Sequence, residues 1–255
     1  MRAVIVDAGN THVRFAAWTA GDAMPRCVDG RWLAAPPLRD LGRLSTPGSA
    51  AGDADFLADA AALLDAAGGA PLVLASVVPR VEALLSSLAK DLRRADHTAR
   101  LPFEHRLTDV AATGADRLCN VAAAVAAGLG SALVVDAGTA TTVDVLCDGV
   151  FVGGVIAPGM AFGLEQIGLR AACLRPLPFA AVPLAAGPDT ASALAAGAFH
   201  AGVGGVEALV DGLLAAHGAL PVVLTGGLGH FLARPGRFLD PHWTLRGAAC
   251  LAGLV

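Results

Sequence analysis

Asp7-Ala8-Gly9-Asn10-Thr11, near the start of the chain, is answered by Asp136-Ala137-Gly138-Thr139-Ala140-Thr141, and the second stretch begins 129 positions after the first in a chain of 255 residues. An offset of about half the chain length points to an internal duplication. Each stretch follows a short apolar run, Ala3-Val4-Ile5-Val6 or Ala132-Leu133-Val134-Val135, so each Asp is expected at the end of a buried strand. Each is followed by an alternating segment, Val13 to Trp18 and Thr142 to Leu146. The repeated unit therefore reads as strand, Asp-x-Gly turn, strand. A single Asp-x-Gly is an ordinary turn. Two in equivalent positions point to paired phosphate loops, in which Gly9 and Gly138 allow positive φ and let backbone N–H groups converge on an anion. Thr11, Thr139 and Thr141 add hydroxyl donors, and the carboxylates suit a cation rather than the phosphate itself.

Composition narrows the classes. With 55% hydrophobic residues and few charges, the chain reads as a compact globular protein with a large core. A net charge of −4 with scattered Lys and Arg offers no basic stripe for nucleic acid. Cys27, Cys119, Cys147, Cys173 and Cys250 form no Cys-x-x-Cys pair and read as reduced core residues rather than a zinc site or disulfide framework. The chain enters a strand within two residues, leaving no room for a signal peptide. The longest apolar run, read as Val121 to Val135, is too short to span a bilayer. A soluble, cytoplasmic protein is expected, with no membrane partner.

Periodicity and breakers predict strands near 2–7, 13–18 and 26–33, then a Pro-, Gly- and Ser-rich loop from Ala34 to Gly52. Helix 53–67, strand 71–76 and a helix over 79–95 follow, the last with Val81, Leu84, Leu85, Leu88 and Leu92 on one face. The second half reads as helix 115–127, strands 131–136, 140–147 and 150–154, helices, strand 220–225 and a closing helix at 243–254. The pattern predicts an α/β fold with a mixed sheet in each half, divided into 1–113 and 114–255.

The unduplicated segment Gly114-Ala115-Asp116-Arg117 opens an amphipathic helix whose buried face is Leu118, Val121, Ala122 and Val125. An Asp in a first helical turn fits simple capping. Beside a guanidinium, in a chain with two phosphate loops, Asp116 also fits a base that takes the proton of an attacking hydroxyl during phosphoryl transfer. A loose transition state makes positioning matter more than base strength, so an ordinary carboxyl pKa would serve. Thr190, after Pro188-Asp189, opens a long helical pattern and could be its N-cap. Gly153-Gly154 and Pro158-Gly159 mark places where backbones approach closely.

These segments, together with Thr225-Gly226-Gly227, resemble the type III pantothenate kinases, also called the Bvg accessory factor family, over residues 3 to about 250. The resemblance implies the fold of sugar kinases, Hsp70 and actin: two ribonuclease-H-like halves around an interdomain ATP cleft. It implies phosphorylation of pantothenate by ATP with Mg2+, activation by K+ or NH4+, and a homodimer. It further implies Asp116 as catalytic base, and Gly114, Ala115, Asp116, Arg117 and the neighbouring subunit's Thr190 around the substrate. Asp7, Ala8, Gly9, Asn10, Thr11, His12, Val13, Arg14 and Thr139 would face ATP, and Asp136 would hold the monovalent cation. Arg117 would clamp either a carboxylate or the transferring phosphate. Arg14 fits a phosphate contact or a surface charge, His12 a side chain facing solvent, and Thr225-Gly226-Gly227 an adenosine-side turn.

Other residues read as structural. Trp18, Trp32 and Trp243 fit packing, Cys119 has nothing to activate it, and the remaining histidines lack metal-ligand spacing. One departure from the family concerns the acceptor. Many members carry a Tyr shortly before Gly-x-Asp-Arg, whereas this chain has no Tyr, with Leu107 near that spacing and Phe103 upstream. Two other readings keep the loops: a kinase for another small hydroxyl metabolite, and a non-catalytic, nucleotide-responsive accessory protein.

Overall fold

The computed structural model describes residues 1–170 and 176–255, so Cys173 lies outside the described residues. In chain order the elements are β1 (Ala3–Ala8), β2 (His12–Trp18), β3 (Arg26–Val28), β4 (Arg31–Leu33), β5 (Arg39–Ser45), α1 (Asp53–Ala66), β6 (Leu72–Ser76), α2 (Pro79–Leu88), β7 (Leu92–Arg94) and β8 (Glu104–His105). Then follow α3 (Ala115–Ala126), β9 (Ala132–Ala137), β10 (Ala140–Cys147), β11 (Val150–Pro158), α4 (Phe162–Arg170), α5 (Thr190–His217), β12 (Val222–Thr225), β13 (Arg237–Leu239) and α6 (Trp243–Leu251). They form two compact units. The first comprises Met1–Gly130, Leu146–Val152 and His242–Val255; the second comprises Ser131–Val145 and Gly153–Pro241.

The first unit is built on a five-stranded sheet in the order β5-β2-β1-β6-β7. β1 and β2 are antiparallel, whereas β6 runs parallel to β1 and β7 parallel to β6. Alternation along β1 sorts its side chains between two faces. Val4, Val6 and Ala8 join Val13, Phe15, Phe56, Leu72, Val81 and Leu85 in a buried cluster that includes residues of α1 and α2. Ile5 and Asp7 therefore point to the other face, and α3 and α6 pack closely together in the same unit. Trp243 is fully buried in this layer, where its indole N–H donates to the Asn120 carbonyl at 3.0 Å. The Thr244 hydroxyl donates to Asn120 Oδ1 at 2.9 Å.

The second sheet has the order β13-β12-β9-β10-β11-β8. Counted within each repeat, its first five strands reproduce the arrangement of the first sheet, with the Asp-bearing strand in the middle. β9 and β10 are neighbours joined by only two residues, which requires an antiparallel hairpin, and β12 runs parallel to β9. The duplication read from the two Asp-x-Gly stretches is thus present in the topology, and the expected α/β class with mixed sheets holds.

Several elements differ from expectation. The region read as one strand over 26–33 is a hairpin of β3 and β4, turned at Asp29-Gly30, where both residues have positive φ. The loop from Ala34 to Gly52 contains β5, an edge strand whose Leu41 and Leu44 reach the core while its charged residues stay outside. The helix over 79–95 stops at Leu88, and Leu92 instead pairs with Leu72 as part of β7. Either conformation buries Leu92 against the same core, but only the strand satisfies the open edge of β6. β8 and β13 are likewise short additions at sheet edges. Helix α5, 28 residues with few charges, is long and apolar enough to cross a membrane by length and composition alone, a segment the reading of Val121 to Val135 left aside. One such helix is weak evidence of a span.

α6 can approach α3 only because residue 247 is glycine, since a Cβ there would overlap the Cys119 carbonyl oxygen. Gly247→Ala is expected to cost at least about 2 kcal/mol, because two packed helices must separate. Urea denaturation would register this as a lower midpoint with an unchanged slope.

Candidate active site

In the first unit, Asp7 sits at the carboxyl end of β1 directly opposite Arg14 on β2, an opposite-charge cross-strand pair. The turn between them is held from both sides. The Gly9 N–H donates to the His12 carbonyl at 3.0 Å, and the Thr46 hydroxyl and N–H donate to the carbonyls of Gly9 and Thr11 at 2.6 and 3.0 Å. Ala8 and Val13 are buried as strand residues, so Asn10 and Thr11 are the exposed tip. His12, expected to face solvent, is half-buried, and its Nδ1 accepts a 2.8 Å hydrogen bond from Arg43 on β5. Burial, then the Arg43 charge, lowers its pKa and favours the neutral ring. The reason given for the loop glycines also changes. Neither Gly9 nor Gly138 has positive φ, and a Cβ at either would make only ordinary contact, 3.5 Å from a carbonyl oxygen.

At Gly114, the residue before α3, a Cβ would meet the Asp116 carboxylate and lie 3.3 Å from Val77 Cγ1, so a side chain there would displace Asp116. The Val77 N–H donates to the Ala8 carbonyl at 3.1 Å, so the first loop, the end of β6 and the start of α3 are interlocked. Asp116 Oδ1 accepts the Arg117 N–H at 2.8 Å. Burial raises the Asp116 pKa, opposed by that hydrogen bond and by the Arg117 charge. Cys119, one turn along, is fully buried and donates weakly to the Ala95 carbonyl at 3.5 Å. Burial pushes its thiol well up, and the charges of Asp7 and Asp116 push it further. The structure thus gathers Asp7, Asp116 and Arg117 in one unit, beside a hollow of about 330 Å³ lined by Ser76, Asp96, His97, Thr113 and Gly114. It also keeps Cys119 inert.

The second unit carries Asp136, Thr139 and Thr190. Asp136 lies at the carboxyl end of β9, one residue before its last, and is in register with Thr225 on β12. Gly226, at φ +83°, presses its backbone on that carboxylate: a Cβ would stand 2.5 Å from Asp136 Oδ1 and 2.6 Å from the Ala137 nitrogen. Thr139 is exposed, and its carbonyl accepts the Gly159 N–H at 3.2 Å. Gly159 has no room for a side chain, which would overlap the Thr139 carbonyl oxygen. A Cβ at Gly154 would overlap the Val143 carbonyl oxygen and crowd the buried Asp144. Thr190 is exposed in the first turn of α5, but the cap is Asp189, whose carboxylate accepts the Ser192 N–H at 2.9 Å. The Thr190 hydroxyl is therefore not needed for capping.

Sequence reasoning overlooked two features. Gly226 was read as part of a nucleotide turn, and its fit against Asp136 depends on strand register. Phe151 on β11 was not singled out, yet the Arg117 guanidinium carbon lies over its ring, 5.7 Å from the centroid.

Two mixed sheets of one strand order, each with an Asp-x-Gly turn after its middle strand, define the duplicated ribonuclease-H-like class of sugar kinases, Hsp70 and actin. Within that class, the chain belongs to the type III pantothenate kinase family, whose sequence profile matches residues 3–212. It is 33% identical to the type III pantothenate kinase of Rhodospirillum centenum, over 95% of this chain and 94% of that protein. It is also 33% identical to the one of Acidiphilium cryptum, over 98% and 93%. Among solved structures, the fold is similar to a Baf family protein of Campylobacter jejuni, with TM-score 0.58, 19% identity and 98% of each chain covered. It is also similar to the ethanolamine utilization protein EutJ of Carboxydothermus hydrogenoformans, with TM-score 0.52, 14% identity and 97% and 89% covered.

Because burial raises the folded Asp116 pKa above its unfolded value, the protonated carboxyl favours folding. That advantage is complete below the ordinary carboxylate range and is lost as pH rises through the raised value. The ionised carboxylate therefore costs stability at neutral pH. Asp116→Asn is expected to melt at or above the wild-type temperature at pH 7, with the difference shrinking as pH falls through the carboxylate range, as thermal unfolding across a pH series would read.

Proposed function

We propose that the chain transfers the γ-phosphoryl group of ATP to the primary hydroxyl of pantothenate, with Asp116 as the base. The single observation that carries the residue assignment is the seating of Asp116 at the start of α3, buried enough to raise its proton affinity and wedged by Gly114 near Asp7. The hydroxyl proton passes to Asp116 as the new P–O bond forms, and the bond between the γ-phosphorus and the bridging oxygen breaks, releasing ADP. A base whose pKa is raised toward the working pH holds that proton more readily. Arg117 meets an anionic group of the acceptor or the moving phosphoryl group, and Gly114 and Ala115 border the acceptor.

The loop from Asp7 to Arg14, with Thr139, contacts the ATP phosphates in this reading. Magnesium arrives with the nucleotide and neutralises phosphate charge. Asp136, against which the Gly226 backbone packs, supplies a carboxylate, a hard oxygen donor of the kind that would hold a cation such as K+ or NH4+. When bound, such an ion adds positive charge near the phosphates. We take 113/114 as the seam of the duplication, while the compact units divide after Gly130 and the first also includes α3, Leu146–Val152 and α6.

We further infer a cytoplasmic homodimer. α5 buries few of its residues, and between α4 and α5 runs a groove of about 650 Å³ lined by apolar residues such as Ile167, Leu194, Val206 and Leu209. A second copy of this chain is the proposed occupant of that face. Sedimentation at micromolar concentration is expected to give twice the chain mass.

Purified protein with ATP, magnesium and potassium is expected to form 4′-phosphopantothenate. Asp116→Asn should lower kcat by roughly 10²- to 10⁴-fold, and wild-type kcat/KM should fall on the acid side at a higher pH than an ordinary aspartate would set. Retention of near-wild-type turnover by Asp116→Asn would reject the base assignment. Gly226→Ala introduces a Cβ at positive φ against Asp136, so it is expected to cost about 1–3 kcal/mol and to abolish stimulation by potassium in the same assay.

A further inference from the structure

Phe151 is fully buried near the start of β11 and touches two segments around the proposed acceptor pocket. β8 pairs in parallel with Val150 and Phe151, and the Arg106 N–H donates to the Phe151 carbonyl at 3.0 Å. Phe103, just before β8, meets the Phe151 ring edge-on, with centroids 6.0 Å apart and planes at 89°. Over the same ring lies the guanidinium of Arg117, the residue after the base. An aromatic face attracts a guanidinium and constrains its plane, while its N–H edges stay available for a planar anion. We propose that Phe151 is a positioning residue for the acceptor: its ring, braced by Phe103, sets the plane in which Arg117 meets an anionic group of the substrate.

The proposal rests on the reading that Arg117 contacts the acceptor or the transferring group. It explains how a chain without tyrosine orders this side of the pocket, because the aromatic surface is supplied from beneath Arg117 by β11 rather than from the segment before Gly114. Leu107 lies just past the paired residues of that segment.

Phe151→Leu keeps an apolar side chain and removes the ring. It is expected to raise the KM for pantothenate roughly three- to thirtyfold, with a smaller change in kcat, whereas Phe151→Trp should restore most of the loss. In an Arg117→Ala background, Phe151→Leu should add nothing further to KM. A purely packing role predicts the opposite: a lower melting temperature, unchanged KM in the folded fraction, and the same Phe151→Leu effect with or without Arg117. Either of the last two results overturns the proposal. Should Phe151→Leu fail to fold, Phe103→Leu provides the second test, with a smaller KM rise in the same direction expected and an unchanged KM counting against it. Wild-type turnover with Arg117→Ala matching it in KM and kcat would sink the role of Arg117 itself. Absence of phosphopantothenate from the wild type would sink the kinase reading as a whole.

Discussion

The close approach of α6 to the backbone of α3, possible only at Gly247, is the constraint from which the geometry of the first unit follows. Two helices that nearly touch at the Cys119 carbonyl behave as one slab. Trp243 and Thr244 of α6 fasten that helix to Asn120 of α3 through buried hydrogen bonds, where an unmade bond would be costly. The first turn of α3 has little freedom left. Gly114 and Val77 pin it to the end of β1 as well, and Asp116 inherits a fixed place. In a reaction that depends on positioning more than on base strength, that rigidity matters more than any single contact.

The same fixed place makes Asp116 an unfavourable residue for the fold. Its carboxyl is desolvated, and only partly compensated by the Arg117 N–H and charge. Asp7 stands nearby with a charge of the same sign, and both raise the proton affinity of the Cys119 thiol between the layers. Function and stability pull in opposite directions at this residue, a common pattern where a catalytic group must sit in a partly dry site.

Much of this was legible in the chain because the central strands are continuous apolar runs and the duplication repeats them. β1, β6, β9 and β12 are buried along their lengths, and such segments declare themselves. The edge strands do not: β5, β7, β8 and β13 are short and partly polar, and they exist because a neighbouring strand offers unpaired backbone groups. Asp7, Asp116 and Asp136 could be singled out from local spacing, since each lies beside a small-residue turn. The fit of Gly226 against Asp136, and of Arg117 on Phe151, joins residues far apart in sequence and follows from register, which no local pattern encodes. The loop glycines taught a related lesson. Gly9 and Gly138 looked like conformational necessities, yet a side chain would overlap neighbouring backbone at other positions, Gly154, Gly159 and Gly247 among them.

That α6 comes last in chain order has a consequence for biosynthesis. The apolar face of α3, with Leu118, Val121 and Ala122, is made long before Trp243 and Leu245 exist to cover it. During translation the helix carrying Asp116 therefore waits, part of its packing absent, until the distant α6 segment has also left the ribosome. A product terminated early would retain both phosphate loops yet lack the wall behind its base, and its uncovered apolar surface would mark it for chaperones and proteases.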